Sequence, residues 1–450
     1  MKKNIKINIH RITRVEGHGN VVIDIKKGLI KELRFEIIES PRFFEAILRG
    51  RKYDEAQHIM SRICGICAVS HTSASLKAIE DAMGITISKQ ATLLRKLAFH
   101  GEMLQSHILH LYFLVLPDFF KVGSIVPLTK SHPDAVKRGL RLKKLANEIC
   151  YTIAGRHIHP ISLFPGGVAY TPRESELKGL KKRLEDSFED LEATLELFKT
   201  FKTLEYSKKR EYLSLKEDGK YAFYDGKIAS NLKYSAKPRD YRKLIKESIV
   251  PHSVAKHAKI IPPPPLLKRG ENKGGYMVGA LARVCNNFNQ LSPKAKKAAK
   301  ELGLTPLSCN PFMNNAAQLV ESFHCTDDAI KIIDKLLSNG LKKEELKKSP
   351  LPPFKNGGHR EDYTGIGVVE APRGTLYHEY TIDKNGIVTD ANCIIPTAQN
   401  LRIIEQDLRG FVPTILSKPK DEITRDIESL VRAYDPCISC STHIMDVRFV

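Results

Sequence analysis

The chain reads Arg62-Ile63-Cys64-Gly65-Ile66-Cys67-Ala68-Val69-Ser70-His71 near its beginning, and this stretch holds a Cys-x-x-Cys pair. A second pair lies near its end, in Asp435-Pro436-Cys437-Ile438-Ser439-Cys440-Ser441-Thr442-His443. Four thiolates form a soft, electron-rich cage that suits zinc, nickel or an iron–sulfur centre. A metal that needs both pairs would tie the two ends of the chain into one core.

The simplest alternative is a structural zinc site in a non-enzymatic scaffold. Zinc ribbons also use Cys-x-x-Cys pairs, but their pairs lie only about 15–20 residues apart. Structural zinc mainly stabilises small domains that lack a sufficient hydrophobic core. A chain of 450 residues does not need such help, so the wide spacing favours a functional metal centre.

The composition is that of an ordinary globular protein with a basic surface. Hydrophobic residues make up 42% of the chain, charged residues 27%, and the formal net charge is +21. Basic and acidic residues mix along the predicted helices, without the aromatic-and-basic clusters or helix-turn-helix pattern of nucleic-acid binding. We therefore expect no nucleic-acid partner, and a Lys-rich surface that would also suit an acidic partner subunit.

The sequence also bears on the compartment. No apolar run reaches the ~18 residues of a membrane span, and the charged first residues lack a following apolar core of the kind found in signal peptides. We expect no direct membrane span and a cytoplasmic location. The remaining cysteines are read as small buried residues of a reducing compartment: Cys150, Cys285, Cys309, Cys325 and Cys393.

The apolar pattern predicts a mainly α fold with small β pieces, in a single domain over residues 1–450. Alternation predicts N-terminal strands over about residues 5–38. The pattern then becomes helical, and one long stripe from Leu93 to Val115 is expected to end at Pro117. A second long helix is expected to open with a capping box that starts at Thr171. Such rods predict a central bundle of long helices.

Further elements are predicted later in the chain. Helices are expected near residues 290–303, 315–338 and 420–432, and a late β-hairpin is expected to turn at Asn385-Gly386. Two Pro/Gly-rich segments, about 262–275 and 350–358, are predicted to be surface insertions.

Several motifs together resemble those of one enzyme family. Beside the two cysteine signatures stand Arg14-Val15-Glu16-Gly17-His18, Glu370-Ala371-Pro372-Arg373-Gly374 and Pro396-Thr397-Ala398-Gln399-Asn400. This combination is similar to the nickel–iron hydrogenase large (catalytic) subunit, in its cytoplasmic sulfhydrogenase and viologen-reducing branch. The resemblance covers nearly the whole chain. It implies an oxidoreductase that splits dihydrogen heterolytically and reversibly into protons and electrons.

The resemblance also implies a set of metal ligands. Cys64, Cys67, Cys437 and Cys440 would all bind nickel, and Cys67 and Cys440 would bridge to an iron that carries cyanide and carbon monoxide. Glu45 and His443 resemble the ligands of a second, hard-ion site that holds magnesium or iron.

Catalytic roles follow from the same likeness. Cys437 would accept the proton released from dihydrogen, and Glu16 would relay it outward. Pro372 and Arg373 would contact the cofactor, with Arg373 acting as a fixed positive charge held by Asp435 in a bidentate pair. Ser106 stands where many relatives carry an acidic residue.

The resemblance further implies partners and processing. Electrons would leave through an iron–sulfur small subunit, then through further electron-transfer subunits, and a maturation protease and nickel-insertion proteins would complete the centre. The protease would remove residues 444–450, after His443. His71 and His18 are expected to support the cluster. A hydrogen sensor on the same fold, or the zinc-bound scaffold, remains the alternative function.

Overall fold

The computed structural model describes residues 4–232, 235–261, 274–342 and 362–442. Within these ranges helices predominate and the strands form small antiparallel sheets, which confirms the predicted fold class. The helices are α1 (Phe44–Leu48), α2 (Tyr53–Met60), α3 (Ala68–Met83), α4 (Lys89–Leu109), α5 (Leu116–Phe119), α6 (Leu128–Ser131), α7 (Pro133–Ala154), α8 (Glu174–Lys199), α9 (Tyr241–Leu244), α10 (Ala280–Asn287), α11 (Pro293–Glu301), α12 (Met313–Asn339), α13 (Pro396–Ile415), α14 (Lys420–Ala433) and α15 (Ile438–Ser441).

The strands are short and pair with sequence neighbours. They are β1 (Ile5–Ile9), β2 (Gly19–Lys26), β3 (Leu29–Ile37), β4 (Leu163–Phe164), β5 (Gly167–Val168), β6 (Leu213–Lys216), β7 (Lys227–Ser230), β8 (Ser235–Ala236), β9 (Ile245–Val250), β10 (Ser253–Ile260), β11 (Asp362–Ala371), β12 (Gly374–Asp383) and β13 (Val388–Ile394). The N-terminal strands and the late hairpin β12–β13 confirm the prediction. Most of the two predicted insertions, and residues 443–450, lie outside the described residues.

The centre of the molecule is built from four long helices. Helix α4 packs against α7 and α12, and α12 packs against α8. The apolar stripe of α4 continues through one π-helical segment, His110–Val115, and ends at Phe119 rather than at Pro117. Pro117 lies where the π-helical segment passes into α5, a point at which the backbone hydrogen-bond pattern already changes, as shown by the bond from Leu116 N to Leu111 O.

The predicted capping box at Thr171 is wrong by two residues. Helix α8 begins at Glu174, and Arg173 is its N-cap. The carboxylate that accepts the N-cap N–H is that of Glu176, whose Oε2 lies 2.7 Å from Arg173 N. The reciprocal acid three residues after the cap, and not the Thr-Pro step, therefore sets the start.

One helix lies unusually close to a sheet. Strand β11 pairs with β12, and together they pack against α3. A Cβ added at Gly367 would lie 1.9 Å from Ala74 O, and one added at Gly365 would lie 2.1 Å from Ala78 O. Only glycine permits this approach, which holds α3, the helix that follows Cys67, directly on the sheet that carries Arg373.

The ends of the chain meet in one hydrophobic cluster. This cluster includes Ile7 near the start and Cys440 near the end of the described residues. The β1–β3 sheet and the β9–β10 hairpin both pack against α13. Among the described residues, none of the helices combines the length and apolar character of a membrane span. The assignment of residues 1–450 to a single domain stays a prediction.

Candidate metal centre

The first cysteine pair lies where a short helical turn passes into α3. Cys64 follows the 3-10 turn Ser61–Ile63, and Cys67 is the N-cap residue of α3. The backbone N–H groups of Ile66 and Cys67 point at Cys64 Sγ, at 3.2 and 3.5 Å. These N–H groups favour a thiolate over a thiol at Cys64.

The second pair lies at the short helix α15, with Cys437 as its N-cap residue and Cys440 within it. Its backbone is fixed by Thr397, whose Oγ1 accepts the N–H of Cys437 at 2.9 Å. Glu16 also fixes it, because Ile438 N donates to Glu16 O at 2.9 Å beside an isolated β-bridge. Thr397 belongs to the Pro396–Asn400 motif, which thus acquires a physical role in holding the pair.

Arg42 connects the two cysteine segments. Its guanidinium donates to Arg62 O and Ile63 O before the first pair, and at 3.3 Å to Ser439 O within the second. Its backbone N–H donates to Thr442 O at 2.8 Å. Sequence reasoning missed Arg42, because an arginine on a loop carries no local signal for contacts this distant in sequence.

The four sulfurs converge as predicted. They are buried and lie within 4.8 Å of one another. Cys64 Sγ is 3.5 Å from Cys437 Sγ, and Cys67 Sγ is 3.7 Å from Cys440 Sγ. Metal–sulfur bonds of ~2.3 Å place tetrahedral ligands about 3.8 Å apart, so both distances fit a shared metal. The Cys437–Cys440 distance of 2.7 Å would have to widen.

The four thiols differ in how readily they ionise. Hydrogen bonds from Cys437, Cys440 and Cys67 hold the pKa of Cys64 well below its ordinary value. Burial raises the pKa values of Cys437 and Cys440 well above theirs. Bound metal cations would allow all four to be thiolates, so the donor set fits soft metal ions.

A small cavity adjoins the sulfurs. It measures about 10 Å³ and is lined by Cys67, Cys437 and Cys440, by Arg373, and by apolar side chains that include Ala371 and Leu376. This is the lower limit for holding one water molecule. The space beside the sulfurs therefore admits only very small molecules. The predicted cofactor contact Pro372 is buried between two of the lining residues.

Arg373 is held beside the sulfurs by three hydrogen bonds. Its Nη2 donates to Asp435 Oδ1 at 2.9 Å, its Nε to Asp435 O at 2.8 Å, and its Nη1 to Ser106 Oγ at 3.3 Å. The predicted bidentate carboxylate pair is therefore wrong in detail. Asp435 has φ of +50°, a conformation that turns its own carbonyl toward the guanidinium.

The charge on Arg373 is permanent. Burial alone would lower its pKa, but Asp435 and the thiolates of Cys437 and Cys67 raise it well above its ordinary value. A guanidinium in this setting donates hydrogen bonds and does not act as a base.

A second buried arginine fixes the strand end that carries Arg373. Arg283 on α10 donates to Ala371 O at 2.8 Å and to Pro372 O at 2.9 Å. Its Nε and Nη2 donate to the two carboxylate oxygens of Glu321 on α12, both at 2.7 Å, and its Nη1 also contacts Glu370 Oε2 at 3.2 Å. Sequence reasoning missed this pair. The available signal was a charged residue in the otherwise apolar stretch 280–285.

Glu16 lies at the edge of the cluster. Its Oε2 accepts the N–H of Ser439 at 3.1 Å, and its Oε1 accepts the Ser439 hydroxyl at 2.6 Å. The residue is half-buried, so its carboxylate joins the second cysteine segment to the protein surface.

The four other predicted site residues lie in different places. Glu45 is buried on α1, close enough to contribute to the raised pKa values of Tyr380 and Cys393. His443 lies outside the described residues. His71 lines the cavity beside the sulfurs, whereas His18 is exposed and contacts Glu39 at 3.1 Å, so its expected support of the cluster is wrong.

Comparison with known proteins identifies the family. A family model described as nickel-dependent hydrogenase matches residues 42–138 and 268–443, and one described as HoxL-like matches residues 6–40. The chain is 35% identical to the alpha subunit of sulfhydrogenase 1 from Pyrococcus furiosus over 445 residues, which cover 98% of each chain. It is 32% identical to a subunit of the F420-non-reducing hydrogenase of Methanothermobacter thermautotrophicus, over 98% of this chain and 95% of that one.

Solved structures agree with these relatives. An NAD+-reducing [NiFe]-hydrogenase in the H2-reduced state superposes with a TM-score of 0.85 at 28% identity, over 98% of this chain and 99% of that one. The [NiFeSe]-hydrogenase of Dm. baculatum, at 23% identity and a TM-score of 0.76, supports the fold. With four buried cysteines converging from its two ends, the chain belongs to the nickel-dependent hydrogenase family, as one of its large subunits.

Proposed function

We propose that this chain cleaves dihydrogen heterolytically and reversibly at a nickel–iron centre held by its four cysteines. The observation that carries the proposal is the convergence of four buried sulfurs within 4.8 Å, beside a buried guanidinium. Cys64, Cys67, Cys437 and Cys440 would hold nickel, and Cys67 and Cys440 would also hold iron with its cyanide and carbon monoxide. When bound, the metals supply a Lewis-acidic, redox-active centre for dihydrogen. A zinc-bound scaffold is not favoured, since the relatives are hydrogenases.

Cys437 Sγ is the proposed acceptor of the released proton, and Glu16 the proposed relay. The two residues pair through their backbones, and the Glu16 carboxylate binds Ser439, two residues beyond Cys437. Glu16 is half-buried, so it lies between the second cysteine segment and the solvent. A positioned carboxylate of this kind typically contributes about 10²–10⁴-fold to a rate limited by proton transfer.

Arg373 is proposed to orient the small molecules beside the sulfurs. Its three hydrogen bonds fix the guanidinium, and its permanent charge favours negative charge in the adjoining cavity. Asp435 and Ser106 are the residues that position it. The Ser106 hydroxyl takes the place of an acidic partner without leaving the guanidinium unpaired.

Partner subunits complete the proposed function. The relatives are named as subunits of sulfhydrogenase 1 and of an F420-non-reducing hydrogenase, which indicates assemblies of more than one chain. We infer an iron–sulfur small subunit that receives the electrons, further electron-transfer subunits, and maturation proteins that insert nickel and cut the chain. The five other cysteines are free and mostly buried, which supports a reducing, cytoplasmic location.

A second ion is proposed at Glu45 and His443, with magnesium preferred. Support comes from the backbone bond between Arg42 and Thr442, which brings the residue before His443 next to the start of α1. A buried carboxylate with carbonyl and water ligands suits a hard divalent ion.

Elemental analysis with infrared spectroscopy tests the metal centre. In protein purified with its natural partners, we expect about one nickel and one iron per chain beyond the partner's clusters, with cyanide and carbonyl bands. Zinc at one atom per chain without these bands would contradict the proposal.

Glu16→Gln tests the proton relay. Glutamine keeps one oxygen that can accept the Ser439 N–H, and its amide NH2 can donate to the Ser439 hydroxyl. It cannot carry a proton, so we expect hydrogen-dependent dye reduction to fall about 10²–10⁴-fold with unchanged metal content. Infrared bands should stay in place, because the metals are untouched. Glu32→Gln, which changes a half-exposed carboxylate on β3, serves as the control. Equal activity in the two variants would remove Glu16 from the route.

A further inference from the structure

Three potential metal ligands meet where the β9–β10 hairpin packs against α13. His252 lies in the turn between β9 and β10, His257 lies in β10, and Glu405 lies in α13. One ligand atom from each falls within 4.8 Å of the others. His252 Nε2 is 2.7 Å from Glu405 Oε1, which also accepts the N–H of Phe35 in β3 at 3.0 Å.

One of these ligands is buried without a hydrogen-bond partner. His257 is only 2% exposed, and its Nε2 contacts no donor or acceptor among the described residues. A buried imidazole nitrogen without a hydrogen-bond partner is available to bind a metal ion, and histidine is the commonest metal ligand in proteins.

We propose that His252, His257 and Glu405 form a binding site for a divalent transition-metal ion of the zinc type. Two imidazoles and one carboxylate are a common zinc ligand set, and a water molecule would complete the tetrahedron. Bonds of ~2.0–2.1 Å place tetrahedral ligands about 3.3 Å apart. The three groups, now 2.7 Å to at most 4.8 Å apart, reach that spacing with small side-chain movements.

The charge around the site is balanced. Arg402, one turn before Glu405 on α13, opposes a cation and donates at 3.4 Å to the hydroxyl of Ser248 in β9. The Glu405 carboxylate offsets this charge and already faces His252. The bound ion would join the β9–β10 hairpin to α13 and, through Phe35, to the N-terminal sheet, which makes it a structural clip.

Cobalt(II) uptake by the matured, partner-bound enzyme tests the site. Cobalt is a spectroscopic probe for zinc sites, and nitrogen and oxygen ligands do not give the near-ultraviolet charge-transfer band that thiolates give. After treatment with a chelator, we expect the wild type to take up one cobalt per chain more than Glu405→Gln, without a thiolate band. Glutamine at this position can still accept the Phe35 N–H.

His10→Gln, which changes an exposed histidine beside the N-terminal sheet, is the matched control and should bind cobalt as the wild type does. His252→Gln, at the hairpin turn, repeats the test if Glu405→Gln does not assemble. Loss of a residue that only hydrogen-bonds to a metal ligand typically weakens metal affinity roughly 10–100-fold. Loss of a ligand itself should weaken the affinity for cobalt by more than this. Hydrogen-dependent dye reduction should be unchanged, so the result is independent of the proposed function.

Two outcomes would overturn the site. Equal cobalt uptake by the wild type and both variants would do so, as would extra cobalt that carries a thiolate band, because that cobalt would sit on cysteines. Zinc-edge anomalous diffraction from wild-type crystals grown with zinc tests the site without any substitution. A peak among the three side chains would support the site, and its absence would overturn it.

Discussion

At the scale of single residues, Arg373 shows how a charge can be buried usefully. Arg373 is 4% exposed, yet each nitrogen of its guanidinium donates to a fixed acceptor on Asp435 or Ser106. A buried charge persists when it is paired and hydrogen-bonded. The cost of ordering this group has been met during folding, so no reorganisation is needed when a small molecule arrives.

Arg373→Lys tests this preorganisation. Lysine keeps the charge but cannot span Asp435 and Ser106 with a planar fork, so we expect hydrogen-dependent dye reduction to fall about 10²–10³-fold. Nickel and iron content should match the wild type. Arg141→Lys, on an exposed pair with Asp190, is the control and should leave activity unchanged. Full activity in Arg373→Lys would show that a positive charge is sufficient and that the fixed position of the guanidinium is not required.

The identities of the site residues could be predicted from the sequence more completely than the contacts that these residues make. The four cysteines, Arg373 and Asp435 were all assigned from local motifs, and the structure brings them together. The carbonyl contact of Asp435 was not foreseen, because it depends on a positive φ that no motif encodes. Arg42 and Arg283 were missed for a related reason, since their partners are fixed only by the tertiary fold.

At the scale of elements, helices α10 and α12 are joined by a buried ion pair. Arg283 binds Glu321, which also accepts the Tyr221 hydroxyl at 2.7 Å and faces His107 Nε2 at 2.8 Å. Burial alone would raise the pKa of Glu321, but Arg283 and His107 lower it from 4.5 to about 2. Through this ion pair, helices α10 and α12 together fix the end of β11, next to Arg373.

Glu321→Gln tests the pair and its pH dependence. It leaves Arg283 with only Glu370, at 3.2 Å, as a carboxylate partner, so we expect a loss of about 3 kcal/mol in the free energy of unfolding at pH 7, the lower end of the range for breaking a buried ion pair. Because the folded pKa is depressed, this contribution is complete above about pH 4.5 and is lost as the pH falls toward 2. The difference from wild type should shrink accordingly in guanidinium unfolding of the full chain.

Asp334→Asn is the control for this measurement. Asp334 pairs with Lys181 at the surface and is about half exposed, so we expect a change within about 0.5 kcal/mol. A pH-independent difference for Glu321→Gln would mean that lost packing, and not the ion pair, accounts for the effect.

Strand β11 shows why one element was missed. It contains Gly365 and Gly367, and glycine is disfavoured in strands, so its pattern did not predict one. Those glycines serve the contact with α3, which is a tertiary requirement. Helices α4, α8 and α12 and the β12–β13 hairpin were predictable because their periodicity and the Asn385-Gly386 turn are local signals. The long helix α7 was not predicted.

At the scale of the whole molecule, the last described residues pack against the N-terminal segment. Thr442 O accepts from Arg42 N, and Glu16 binds Ser439. The cluster is thus enclosed by segments from both ends. Fold class was predictable from composition and pattern, whereas this enclosure was expected only through the cysteine pairs, since local sequence carries no information on such distant contacts.

Intact-mass measurement tests the proposed processing. We expect chains that contain nickel to lack residues 444–450 and to end at His443, because the carboxyl end would then be free to settle beside Glu45. Chains from cells deprived of nickel should retain the seven residues and serve as the control. An active, metal-containing enzyme that still carries Ile444 to Val450 would contradict this order of events.

The distance in sequence between the cysteine pairs has a consequence for biosynthesis. Cys64 and Cys437 are separated by 373 positions. Ribosomes add about 5–20 residues per second, so the first pair waits roughly 20–75 s before the second is made. During that interval a lone Cys-x-x-Cys pair is open to zinc and to oxidants. A site that needs all four cysteines can be filled only after the second pair has been made. Until then, the first pair has to be protected from zinc and from oxidants.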